Sequence, residues 1–143
     1  MPIPNGFHSA NVYLIVDDAR KEIEFLKQAF AAQEGHASTM PGGSIIHAEV
    51  RLGDSTLMLG QANQAYKSQR STVYVYLDDC DAAYRKAVEA GAKSLQEPKN
   101  QFYGDRTAGV EDSNGIWWWI ATHIEDVSHE ESDRRFAAMG HQH

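Results

Sequence analysis

His47 and Glu49 stand two residues apart in the run IIHAEV, so on an extended strand they share one face. An imidazole beside a carboxylate can work as an acid–base couple or supply two metal ligands. Two donors are too few for a stable metal site, so His8 or His123 would have to converge on them as a third. His141 and His143 are tail residues at the chain end. Cys80, the one cysteine, has no intramolecular disulfide partner, in keeping with a reducing compartment. In DDCDAAY it falls at a helix start, where the helix dipole lowers a thiol pKa while Asp78, Asp79 and Asp81 oppose that. Its reading is a helix N-terminal residue rather than a nucleophile.

The elements that position these groups come from an internal repeat. VYLIVDD at Val12–Asp18 returns as VYVYLDD at Val73–Asp79, 61 residues later. Each copy leads into a helical pattern. The first runs from about Ala19 to Ala32, with Ala19, Ile23, Leu26, Ala29 and Phe30 on one face and Asp18 as its cap. The second runs from about Cys80 to Ala90, with Ala83, Ala87 and Val88 inward and Gly91 as a stop. At the same offset, Gly53-Asp54 before STLML falls opposite Asn114-Gly115 before IWWWI, two hairpin-turn signals. Strands are predicted at Ile45–Leu52 and Arg106–Glu111 leading into those turns, with weaker ones near His36–Met40 and Lys93–Glu97. The chain thus reads as an α+β domain of two βαβββ modules, about 9–61 and 71–123, with a tail over 124–143. Ser128 and Glu131 have capping-box spacing, which predicts a short tail helix to about Met139.

Strand alternation then assigns faces. Val12, Leu14 and Val16 match Val73, Val75 and Leu77 as aliphatic positions under the helices, and Ile46, Ala48, Val50 and Leu52 continue that face. Trp118 also turns to the helix side. The opposite, open face carries Asn11, Tyr13, His47, Glu49, Met58, Thr72, Tyr74, Tyr76, Trp117 and Trp119. Aromatic walls with a few polar groups suit a pocket for a small molecule.

Composition narrows the function classes. With 143 residues the chain suits one domain, and its net charge of −7, from 13 basic and 20 acidic residues, argues against nucleic acid as a partner. No apolar run approaches the roughly 20 residues of a membrane helix. The opening MPIPNGFHSANV has neither a basic n-region nor an apolar h-region, so a cytoplasmic location is expected.

The segments VYLIVDDARKEIEFLKQAF, IIHAEVRLGDSTLML, QFYGDR and WWWIATHIEDVS, spread from Asn11 to Ser128, resemble the vicinal oxygen chelate (glyoxalase/bleomycin resistance protein/dioxygenase) superfamily, and within it the PhnB-like branch. The resemblance implies two modules whose sheets form a cup with helices on the outer face, often with a dimer completing or flanking it. It also implies metal ligands on the first and last strand of each module. Those positions here are Asn11, Met58, Thr72 and Trp119, none a strong donor for a divalent metal, so no metal or other cofactor is expected. Ile116 stands where the branch commonly has a histidine, and Gly104-Asp105-Arg106 keeps the GDR element, read either as a structural Asp–Arg pair or as a catalytic one. The expected function is binding of a small, planar or aromatic, antibiotic-like molecule by a homodimer. The alternative is a glyoxalase-type lyase, dioxygenase or transferase using His47 and Glu49. A third reading is a dimeric interaction protein whose aromatic face is simply buried.

Overall fold

The protein is described by a computed structural model covering residues 2–140, so His141 and His143 lie outside the described residues. The first half comprises β1 (Tyr13–Val16), α1 (Ala19–Phe30), β2 (Gln33–Thr39), β3 (Ile45–Leu52) and β4 (Ser55–Gln61). The second comprises β5 (Thr72–Tyr76), α2 (Cys80–Glu89), β6 (Lys93–Asn100), β7 (Asp105–Glu111) and β8 (Trp117–His123), and α3 (His129–Ala138) follows. Each half forms a four-stranded mixed sheet, in the orders β1-β4-β3-β2 and β5-β8-β7-β6.

The repeat is visible in the register. Tyr13 pairs with Met58 across β1 and β4, and 61 positions on Tyr74 pairs with Trp119 across β5 and β8. Both helices start on an aspartate cap: Asp18 accepts from the Lys21 amide at 3.0 Å and Asp79 from the Ala82 amide at 3.1 Å. Ser128 caps α3 through the Glu131 amide in the same way. α1 ends at Ala31, a non-glycine residue in the left-handed region at φ 56°.

The offset falls to 60 from β6 through β7, where Lys93–Glu111 matches Gln33–Arg51, and returns to 61 after the hairpin turn. Gly53-Asp54 makes a two-residue turn, with Leu52 paired to Ser55. In the second half the Asp112 amide donates to Ile116, which encloses three residues, Ser113 to Gly115. That extra residue slides β7 one position relative to β3, so Thr107 and Gly109 occupy the places of His47 and Glu49.

Two inward assignments need correction. Val88 is exposed, and α2 buries Cys80, Ala83 and Ala87 instead. Ile46 is also exposed, because Ser38 pairs with His47 and Thr39 with Ile45. That bulge leaves Ile46 as the extra residue of β3, so Ile45 turns inward and Ile46 turns out.

The helix sides of both sheets feed one apolar core. Fully burying each large side chain in it contributes about 1.5–3 kcal/mol. Among the described residues, α1 and α2 are the only elements through which the halves approach along the backbone. Phe30 of α1 packs edge-on against Trp118 of β8, with centroids 5.4 Å apart. The Asn114 turn docks on the start of α1: its side-chain oxygen accepts from the Asp18 amide at 3.0 Å, and its nitrogen donates to the Asp18 carbonyl at 2.9 Å. Among the described residues, no helix packs on the opposite face of either sheet.

Candidate functional site

The ten open-face positions divide between the two sheets. Asn11, Tyr13, His47, Glu49 and Met58 belong to the first half, and Thr72, Tyr74, Tyr76, Trp117 and Trp119 to the second. Among the described residues, no strand of one sheet packs directly on a strand of the other. The two sets meet along a cleft where Asn11 and the β3–β4 turn border the edge strand β5 at Tyr74 and Tyr76.

On the first sheet the centre is a Tyr13–His47 pair. The Tyr13 hydroxyl lies 3.3 Å from His47 Nδ1, and His47 Nε2 lies 4.0 Å from a Glu49 oxygen. The Tyr13 ring lies across Gly60, where a Cβ would sit within 3.0 Å of that ring. Two hollows flank the pair. One, of about 380 Å³, is formed by Ile15, Ile46, Gly60 and Tyr66. The other, of about 440 Å³, lies between Glu49, Met58 and the N-terminal segment carrying Ile3, Phe7 and His8. Both volumes fall within the range usual for small-molecule pockets. The alternation assigns no role to residues 2–9, because that segment has no periodicity to read.

The metal positions implied by the resemblance are poorly furnished. The Asn11 amide is occupied locally, accepting from the His8 amide at 2.9 Å and donating to the His8 carbonyl at 2.7 Å. Met58 offers a thioether, Trp119 no donor, and Thr72 a neutral hydroxyl. These four side chains do not make a divalent-metal site. His123 does not converge on His47 and Glu49 either, since it ends β8 in the other sheet.

The second sheet holds the most connected polar cluster on the open faces, around Asp105. This carboxylate is 3% exposed. Its Oδ2 accepts from the Tyr74 hydroxyl at 2.7 Å and the Tyr76 hydroxyl at 2.9 Å, while Oδ1 lies 2.8 Å from His123 Nδ1. Burial, the largest single influence, pushes the Asp105 pKa up, but bonds from Tyr74, His123 and Tyr76 outweigh it and hold the group ionised below the usual range. Burial and the carboxylate beside it push the Tyr74 phenol well above its ordinary value. On the other side, His123 Nε2 lies 2.7 Å from Asp126 Oδ1. The Asp105 and Asp126 bonds together raise the His123 pKa.

The GDR element therefore does not form an Asp–Arg pair. Arg106 turns to the helix side and binds Asp81 with two bonds, of 2.7 and 3.0 Å, which lowers the Asp81 pKa. Asp105 points the other way, and its partners come from β5 and β8. Only the alternation of adjacent residues in a strand signals that split. Cys80 is enclosed, with burial pushing its thiol up to about 11, as suits an inert helix-start residue.

The aromatic residues here are exposed yet fixed. Tyr76 is 62%, Tyr74 42% and Trp117 38% exposed. Tyr74 and Tyr76 are tied to Asp105, and the Trp117 indole donates to Glu111 at 3.2 Å. Trp119 lies over Gly109, where any Cβ would overlap its ring. Trp118, by contrast, is wholly buried and donates to Asp112 at 2.8 Å.

Comparison with known proteins agrees with this architecture. Residues 7–120 match the family model described as the Glyoxalase/Bleomycin resistance protein/Dioxygenase superfamily. The uncharacterized protein Rv0887c of Mycobacterium tuberculosis is 29% identical over 139 residues, spanning 90% of this chain and 82% of that protein. The crystal structure of TioX from Micromonospora sp. ML1 has a similar fold, with a TM-score of 0.69 at 21% identity, covering 81% of this chain and 100% of that one. A superfamily member from Sphaerobacter thermophilus gives 0.66 at 16% identity, covering 85% and 99%. Matched from residue 7 to residue 120, the chain belongs to the glyoxalase/bleomycin resistance protein/dioxygenase superfamily.

Proposed function

We propose that the chain is a small-molecule-binding protein of this superfamily that works without the usual metal, taking a planar or aromatic ligand on its helix-free sheet faces. The observation that carries this reading is the combination of exposure and order at Tyr74, Tyr76 and Trp117, with the half-buried Trp119 paired to Tyr74 across the strands. Exposed rings held by hydrogen bonds or by a glycine seat give up little conformational freedom when a flat ligand stacks on them. The Tyr13–His47–Glu49 line supplies polar contacts on the first sheet. A second copy of the chain would complete the pocket around the ligand, and the functional unit is a homodimer in the cytoplasm. Quenching of tryptophan emission by fused-ring aromatic compounds tests the reading. Saturable quenching supports it, and flat emission across such a panel at millimolar concentration removes it.

A second reading, acid–base catalysis at His47, is favoured by the Tyr13 hydroxyl 3.3 Å from its Nδ1. Turnover of a bound compound that is lost in His47→Gln, with binding retained, would establish it.

A further inference from the structure

We propose that His123 is an anion-binding group and that Asp126 occupies the place of a ligand carboxylate. Both ring nitrogens of His123 face carboxylate oxygens, Asp105 Oδ1 at 2.8 Å and Asp126 Oδ1 at 2.7 Å. An ionised carboxylate only accepts hydrogen bonds, so both nitrogens carry hydrogen and the ring is a cation. The raised pKa of His123 agrees with that assignment.

The two partners are not alike. Asp105 is buried and receives the Tyr74 and Tyr76 hydroxyls, so leaving His123 would strand a charge in the fold. Asp126 lies in the loop after β8 with its side chain fully exposed. An ion pair of that kind contributes little to stability, and another carboxylate can replace it at small loss. One partner fixes the imidazolium and the other is exchangeable.

Charge narrows the ligand. Asp105 neutralises His123, so once Asp126 swings out the site presents one directed N–H with no net charge. A monoanion fits as Asp126 does. A dianionic phosphate would add charge beside Asp105 on a chain of net charge −7. The body attached to the carboxylate would lie on Tyr74 and Tyr76, an edge-to-face pair with centroids 5.4 Å apart. Tyr76 pairs with Ala121, two residues from His123. The ligand class is therefore a planar aromatic carboxylic acid. This inference rests on the aromatic-binding reading above.

The test titrates naphthalene-2-carboxylate and its neutral analogue naphthalene-2-carboxamide against tryptophan emission, in the intact protein and in Asp126→Asn and His123→Gln. The expected result is a carboxylate preference of about tenfold in the intact protein, as befits one charge-assisted hydrogen bond. Asp126→Asn should tighten the carboxylate several-fold and leave the carboxamide unchanged, since the internal competitor is gone. His123→Gln should erase the preference and keep carboxamide binding, which also shows that the variant is folded. Equal binding of both probes by the intact protein, or a preference that survives His123→Gln, overturns the anion site while the aromatic reading stands. If neither probe quenches, both fall together.

Discussion

The side-chain amide of Asn114 donates to Glu22 Oε1 at 3.0 Å, joining the β7–β8 turn to helix α1 across 92 residues of chain. Glu22 is 1% exposed, and no donor reaches its other oxygen among the described residues. The neighbouring Asp112 carboxylate already accepts from the Asn114 and Ile116 amides and the Trp118 indole. Burial first, and Asp112 second, push the Glu22 pKa from 4.5 to about 9. Burial and the adjacent Asp112 carboxylate thus both favour the neutral acid at Glu22.

That protonation makes stability depend on pH. Between about 4.5 and 9 the folded chain holds a proton on Glu22 that the unfolded chain has released, so each rise in pH across that window favours unfolding. Glu22→Gln, with an amide in place of the protonated carboxyl, should be more stable than the parent at pH 8 by about 1–2 kcal/mol and flatten this dependence. Urea unfolding at pH 6, 8 and 9 measures it. A variant less stable than the parent at all three values would show that Glu22 is ionised in the fold.

Gly109→Ala should displace Trp119, because a methyl group there occupies the space of the indole. The expected signs are altered near-UV circular dichroism and binding of naphthalene-2-carboxamide weakened by about tenfold. An unchanged affinity would remove Trp119 from the binding surface. Gly53→Ala, at a turn with open space around it, is the control for general destabilisation.

Purified without chelator or affinity tag, the protein should contain no stoichiometric zinc, iron or nickel, since Asn11, Met58, Thr72 and Trp119 return less than a metal loses on leaving water. Elemental analysis decides this. Stoichiometric metal that disappears in His47→Ala would move the catalytic reading to first place.

The protein should run as a homodimer in light scattering at micromolar concentration, at twice the 15.9 kDa of one chain. Tyr13, Ile46, Tyr74, Tyr76 and Trp117 are all exposed in the single chain, and burying such aromatic and aliphatic side chains favours association. A 15.9 kDa species would leave those faces open to ligand alone.

Where one periodicity or one offset governs, the sequence was enough. The inward set Ala19, Ile23, Leu26, Ala29 and Phe30 is buried as the 3.6-residue period requires, and the offset of 61 locates Tyr74 from Tyr13 and Trp119 from Met58. Ile46 escaped because a bulge depends on how β2 pairs, not on the order of residues in β3. Glu22 falls on that same inward stripe, but the side chain that meets its carboxyl, Asn114, lies 92 residues away. The Asp105 cluster was out of reach for the same reason: Tyr74, Tyr76 and His123 lie 31, 29 and 18 positions from it, and only the sheet order brings them together.

The helices and the shared core sit on one side of each sheet, and the aromatic and polar positions sit on the other. A substitution at Tyr76 or Trp117 therefore removes exposed surface and leaves the packing around Leu26, Phe30 and Trp118 intact. The helix-free faces can therefore change residue by residue while the scaffold endures. Sequence divergence among relatives should accordingly run fastest on the helix-free faces and slowest beneath α1 and α2.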